Sequence, residues 1–231
     1  MKTLTTLSIA LSLISTSVYA QSTEVRALAD FTSVKVEGAG NIYLTAGDKS
    51  QVEIRLKNDS YALSDIITDV SGSRLWIDYK EKGTFKSAPK VDLWITYKSL
   101  EEISVSGAGK ISTENTIKAN RFVLDCEGAE SAHLELDVNE LIATMSGAGS
   151  FNLSGRADQQ ELEVSGAGSI NAEDLVGQTV IAEVSGVGSL YVHGTERLKG
   201  TVSGVGKIRY KGDPKVQDLN NDGIGSIKRM D

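Results

Sequence analysis

The 231-residue chain has one cysteine, two prolines, two histidines and two tryptophans. A single thiol, Cys126, cannot form an intrachain disulfide, so a disulfide-stapled fold is excluded and stability must come from a packed core. No apolar run reaches the roughly 20 residues of a membrane-spanning helix. The stretch at residues 4–14, broken only by small hydroxyl residues, follows Lys2 and precedes Val18-Tyr19-Ala20. That is the order of a charged region, an apolar core and a small-residue cleavage site, so residues 1–20 read as a secretory signal peptide. Removing them takes away only Lys2 and makes the formal net charge of −7 more negative by one. An acidic exported product has no electrostatic reason to bind nucleic acid.

What the chain does have is a repeat. Glycine corners start at Gly107, Gly128, Gly147, Gly166, Gly186, Gly204 and Gly223, at intervals of 21, 19, 19, 20, 18 and 19 residues. A period of that size marks a stack of copied supersecondary units. Before each corner apolar residues alternate with polar ones: Ile103 and Val105, Leu124 and Cys126, Ala143 and Met145, Leu162 and Val164, Ala182 and Val184. This is the pattern of a strand with one buried face. Four residues after the first glycine the apolar period resumes, with Ile111, Ala132, Phe151, Ile170, Leu190, Ile208 and Ile227. Because the same residue types recur at the same positions, in-register stacking is favoured over antiparallel hairpins. The expected fold is all-β, a right-handed parallel β-helix (a β-solenoid) of seven coils of about 19 residues each. Its hand follows the preference of parallel crossovers. Glycine is expected to supply positive φ, and the residue between the glycines to be small because it sits in a tightly stacked inner corner. Cys126 falls in the inward register and reads as a buried structural thiol.

Residues 21–98 are less regular. They open with a related corner, Val36-Glu37-Gly38-Ala39-Gly40, followed by strand patterns at 51–57, 74–80 and 90–98. A short helix is expected at 61–67, and an exposed loop at 81–90 between two antiparallel strands. With no Pro- or Ser-rich linker before residue 99, the organisation reads as a leader (1–20), an N-terminal β segment with the first coil (21–98), and a repeat β-helix (99–231) on which that segment packs.

Candidate chemistry is sparse. Asp218-Leu219-Asn220-Asn221-Asp222-Gly223 opens like a calcium loop, but its twelfth position is Arg229, where a bidentate Glu is needed. The same residues align as the seventh corner, which is the preferred reading. Glu163 and Glu183 occupy equivalent outward sites on neighbouring coils, where a cation or solvent alone would offset their repulsion. Their flanks in register are Thr144 and Thr201, so no metal site is assigned. His133 and His193 fall at different offsets, three coils apart, and read as surface residues. Trp76-Ile77-Asp78-Tyr79 and Trp94-Ile95-Thr96-Tyr97 repeat one pattern on two strands. Alternation turns both indoles outward, Trp76 beside Asp78 and Trp94 beside Asp92, where flat aromatics can stack on sugar rings or anchor a protein. The alternative is that the 81–90 loop or the first coil covers them.

The leader, the Val36 to Gly40 corner, the Leu75-Trp76-Ile77-Asp78-Tyr79 strand and tandem units such as Val164-Ser165-Gly166-Ala167-Gly168-Ser169-Ile170 occur in a set order. Together with the closing Gly225-Ser226-Ile227-Lys228, they resemble the family called putative auto-transporter adhesin, head GIN domain, over residues 31–228. The resemblance implies a bacterial exported β-helical protein and brings no catalytic residues. The expected function is a non-enzymatic envelope or surface binding protein, in the periplasm or on the outer surface of a Gram-negative bacterium. Its partner would be a glycan or an envelope protein, with no cofactor and no integral membrane segment after leader cleavage. A carbohydrate-active β-helix enzyme, a polysaccharide lyase or hydrolase, is the alternative. It would need paired carboxylates with a nearby Arg or Lys on one face, and no compact set of that kind stands out.

Overall fold

The computed structural model describes residues 22–57, 61–80 and 90–230. The leader at 1–20 and all but the last residue of the 81–90 loop lie outside the described residues. The strands are β1 (Thr23–Ala27), β2 (Ser33–Ala39), β3 (Asn41–Ala46), β4 (Gln51–Leu56), β5 (Ile66–Ser71), β6 (Arg74–Tyr79), β7 (Val91–Tyr97) and β8 (Glu102–Thr113). They continue as β9 (Ile117–Met145), β10 (Ser150–Val164), β11 (Ser169–Val184), β12 (Ser189–Val202), β13 (Lys207–Lys211), β14 (Val216–Asn221) and β15 (Ser226–Arg229).

From β8 onward the strands stack in parallel as a β-solenoid. Val105 lies opposite Cys126, Met145 opposite Val164, and Val164 opposite Val184. The alternation read from the sequence is the alternation of burial: Ile103, Leu124, Ala143, Leu162 and Ala182 point inward on the first leg, and Ile111, Phe151, Ile170 and Leu190 on the second. Cys126 is free and buried among them. Each unit has a return side beyond the two expected strands, because β9 to β12 bend round it without interruption and bring Ile117, Leu141, Val180 and Leu198 inward. The seven corners enclose about six turns instead of seven full coils. Gly223 stacks on Gly204 as the last corner, and the strands around it, β14 and β15, pair with β12 and β13 respectively.

The corner works differently from the expectation. Positive φ occurs at Gly38, Gly109 and Gly128 but not at Gly147, Gly166, Gly186 or Gly204. Glycine is required there by proximity: a Cβ on Gly147 would overlap the carbonyl oxygen of Gly128, and one on Gly166 that of Gly147. The residue between the glycines points out of the bend, not into it. Ala148 and Ala167 are exposed, which is why Val187, Val205 and Ile224 fit the same position.

The N-terminal segment extends the solenoid as well as covering its end. β2 and β3 form a rung joined at Gly38 to Gly40, on which β8 stacks with Val36 opposite Val105 and Ile42 opposite Ile111. On the other side of this rung lie β6, parallel to β2, and β7, parallel to β3. The strands on either side of residues 81–90, β6 and β7, therefore do not pair with each other; they are the two legs of one more rung. Antiparallel strands close this end, β5 on β6, β4 on β7 and β1 on β4. The helix expected at 61–67 is only a 3₁₀ turn, Leu63–Asp65, because Ile66, Thr68 and Val70 enter β5 and form a hairpin with β6 through Gly72 at φ +62°.

Candidate binding cleft

Three strands that are remote in sequence meet where β2 lies between β6 and β8. Ser33 faces Arg74 on one side and Glu102 on the other. The Arg74 guanidinium donates from Nη2 to both Glu102 carboxylate oxygens at 3.0 and 2.9 Å, and from Nε to Ser33 Oγ at 3.0 Å. Ser33 Oγ donates in turn to Glu102 at 3.0 Å. These charge-assisted contacts from one guanidinium nitrogen, with the shared Ser33 hydroxyl, hold the Glu102 carboxylate in place. These groups, with Thr32, Ser71, Ser73, Trp76 and the exposed Glu101, line a cleft of about 470 Å³.

Trp76 gives the cleft its aromatic wall. The residue is 37% exposed, with the Lys35 ammonium 4.8 Å and the Arg74 guanidinium 5.7 Å from a ring centroid. Lys35 sits opposite Trp76 on β2 and is itself paired with Glu37 at 2.9 Å. Asp78, exposed two residues further along the same face, accepts the Tyr79 amide at 2.6 Å.

The other two residues singled out from the sequence are elsewhere. Trp94 is outward on β7, on the other leg, but its ring is covered: Tyr43 of β3 stacks at 4.2 Å and 15°, and the Arg55 guanidinium of β4 lies 4.7 Å from the ring centroid. Asp92 is 6% exposed and ties the start of β7 to both neighbouring strands, accepting Asn41 Nδ2 at 2.9 Å and pairing with Lys57 at 2.6 Å. Trp76 and Trp94 thus belong to two separate surfaces. Glu163 and Glu183 do lie side by side in register, flanked by Thr144 and Thr201, and Lys199 reaches Glu183 at 3.7 Å. Among the described residues no group of three or more His, Cys, Asp or Glu side chains is arranged to hold a metal ion. No helix there is long and apolar enough to cross a membrane.

The sequence signalled Trp76 through strand alternation but not Ser33, Arg74 or Glu102, whose meeting depends on β2 being threaded between later strands. Their chemistry suits binding. A flat apolar ring bordered by hydroxyls, an ion pair and the Glu101 carboxylate can stack on one face of a sugar and hydrogen-bond its hydroxyls.

The family model described as putative auto-transporter adhesin, head GIN domain, matches residues 30–214. No curated protein matches the sequence. Among solved structures, a putative adhesin from Bacteroides fragilis is similar over 92% of this chain and 98% of its own, with a TM-score of 0.85 and 26% identity. A putative adhesin from Parabacteroides distasonis aligns over 91% of this chain and 97% of its own (TM-score 0.71, 21% identity). A putative lipid binding protein from the same organism aligns over the same shares (TM-score 0.73, 21% identity). At that identity the last two speak to fold alone.

Proposed function

The chain belongs to the putative auto-transporter adhesin, head GIN domain family, and from that premise we propose that it is an exported, non-catalytic binding module of a Gram-negative cell envelope. It acts in the periplasm or on the outer surface, and its cleft at Trp76 holds a glycan. The observation that carries this reading is the exposed Trp76 indole set in the wall of a polar cleft. Arg74 and Ser33 hold Glu102 in place, so the rim is organised before a ligand arrives, which lowers the ordering cost of binding. Glu102, clamped by a guanidinium, is poorly suited to proton transfer, which leaves Glu101 alone among the carboxylates lining the cleft and favours binding over a two-carboxylate hydrolysis. Asp78, two residues beyond Trp76 on the same face of β6, adds an acceptor outside the cleft lining. Trp94, covered by Tyr43 and Arg55, contributes to the scaffold.

The test is an envelope-glycan binding screen on the protein and its Trp76→Ala variant, run beside a polysaccharide depolymerisation assay. Binding is expected to fall about tenfold or more, equivalent to roughly 1.4 kcal/mol, with an unchanged circular dichroism spectrum. Undiminished binding by the variant would remove the cleft from the function. Shortening of a polysaccharide would replace the binding reading with an enzymatic one.

A further inference from the structure

The outward corner residue changes along the solenoid. It is Ala at positions 39, 108, 129, 148 and 167, then Val187, Val205 and Ile224. The last three are stacked, since the amide of each bonds the glycine carbonyl one coil back: Val187 to Gly166 (3.0 Å), Val205 to Gly186 (3.0 Å) and Ile224 to Gly204 (2.9 Å). They form an apolar ridge with exposures of 64%, 53% and 81%.

The adjoining outer face of the second leg changes in the same coils. In the middle of the solenoid it carries Ser150, Asn152, Ser169 and Asn171. On β12, β13 and β15 it carries Tyr191, Arg209 and Lys228 in one column, with Lys207 and Lys211 either side of Arg209. The Lys207 ammonium is 5.3 Å from the Tyr191 ring centroid, and Arg209 donates to Ser226 Oγ at 3.1 Å. Lys211 has Asp174 at 4.0 Å and Arg229 has Asp213 at 3.1 Å, but among the described residues no carboxylate pairs with Lys207, Arg209 or Lys228. From Lys207 to Asp231 there are six Lys or Arg against four Asp, in a chain whose net charge is −7. A groove of about 300 Å³ runs between the ridge and Lys207.

An apolar ridge in register with unpaired cations and a tyrosine has the chemistry of an interfacial anchor. The apolar side chains enter the boundary below the headgroups while the cations meet lipid phosphates. A soluble polyanion would engage the cations and leave the ridge in water; an apolar protein partner would use the ridge and leave the cations unmatched. We infer that this C-terminal edge docks on an anionic lipid surface. It does not depend on what the Trp76 cleft binds: about eight strand spacings along the first leg, roughly 40 Å, separate Trp76 from Asn220 of the last coil.

Co-sedimentation with phosphatidylcholine vesicles, with and without phosphatidylglycerol, tests the inference. The protein should bind the phosphatidylglycerol vesicles, bind pure phosphatidylcholine weakly, and lose affinity as salt is raised. A Val187→Ala/Val205→Ala/Ile224→Ala variant restores the corner residue of the other five rungs, so its fold is safe. It should bind about tenfold less tightly yet remain salt-sensitive. A Lys207→Gln/Arg209→Gln/Lys228→Gln variant should lose about tenfold or more and with it the preference for phosphatidylglycerol. Equal binding to both vesicle types, no binding, or full binding by either variant would overturn the inference. So would capture of the protein by a soluble acidic polysaccharide with no vesicle binding. Glycan binding at the Trp76 cleft serves as the independent readout and should be unchanged in both variants.

Discussion

At the scale of single residues, the corner is governed by contact between coils more than by backbone angle. A Cβ on Gly147 would overlap the Gly128 carbonyl oxygen although Gly147 is not in the left-handed region. Gly147→Ala is therefore expected to lower stability by about 2 kcal/mol or more, read as an earlier urea midpoint. Ala148→Val places its bulk outside the bend, as Val187 and Val205 do, and should change stability by less than about 0.5 kcal/mol. Equal losses in the two variants would contradict this reading. One coil departs from the pattern: Glu130 stands where the other rungs have a second glycine. Its side chain folds into the corner at 2% exposure and accepts the Gly107 amide at 2.7 Å. Burial pushes the Glu130 carboxyl above the ordinary carboxylate range, with the Glu127 charge adding to it and the backbone hydrogen bonds opposing. The native state keeps this proton to a higher pH than the unfolded chain does. The group therefore contributes stability at low pH that is lost as pH rises from the ordinary carboxylate range through its raised pKa. Denaturation followed across that window should show a shallower fall for Glu130→Gln than for the unaltered protein. An identical slope would assign the effect elsewhere, first to Asp125, which burial and the charges of Glu127 and Glu102 also shift upward.

At the scale of the strand, the two tryptophans show how far a sequence pattern reaches. Period-2 alternation places both indoles outward, and both are outward. What covers each one depends on its neighbours: Lys35 of β2 and Arg74 of β6 itself beside Trp76, but the stacked Tyr43 ring of β3 together with Arg55 of β4 beside Trp94. Trp94→Ala should thus lower stability by about 2 kcal/mol through lost stacking and cation–π contact, while Trp76→Ala should lower it by less than about 1 kcal/mol. Thermal unfolding of the two single variants separates the roles, and a larger loss at Trp76 would reverse them. The repeat strands were legible because one face of each is buried, so polarity alternates along them. β1 was not, since its burial alternates only between exposed and half-buried and leaves no apolar signature. β5, with Ile66 alone fully buried, leaves no apolar signature either, and its first two residues fall within the helix that the sequence predicts at 61–67. The cleft was invisible for a different reason. Ser33 and Glu102 are 69 residues apart, and no local spacing announces that β2 will be inserted between β6 and β8.

At the scale of the molecule, the question is whether the N-terminal segment and the repeats form one cooperative unit. Solenoids owe their stability to contacts between adjacent coils, so cooperativity can break wherever one interface is weak. Here the rung made by β2 and β3 has β6 and β7 on one side and β8 on the other. One core cluster also runs without a break from Phe31 through Ile77, Ile95 and Ile103 to Tyr210. The interface between residues 21–98 and 99–231 is thus built from the same in-register pairing and inward aliphatic contacts as the interfaces between repeats. The two tryptophans both lie in the N-terminal segment, so their fluorescence reports on that part, whereas far-ultraviolet circular dichroism is weighted toward the longer strands β9 to β12. Urea unfolding followed by the two probes should give one midpoint and one slope. If fluorescence changed at lower urea than circular dichroism, the junction of β2 and β3 with β8 would be the weak interface, and the chain would divide into two folding units near residue 99.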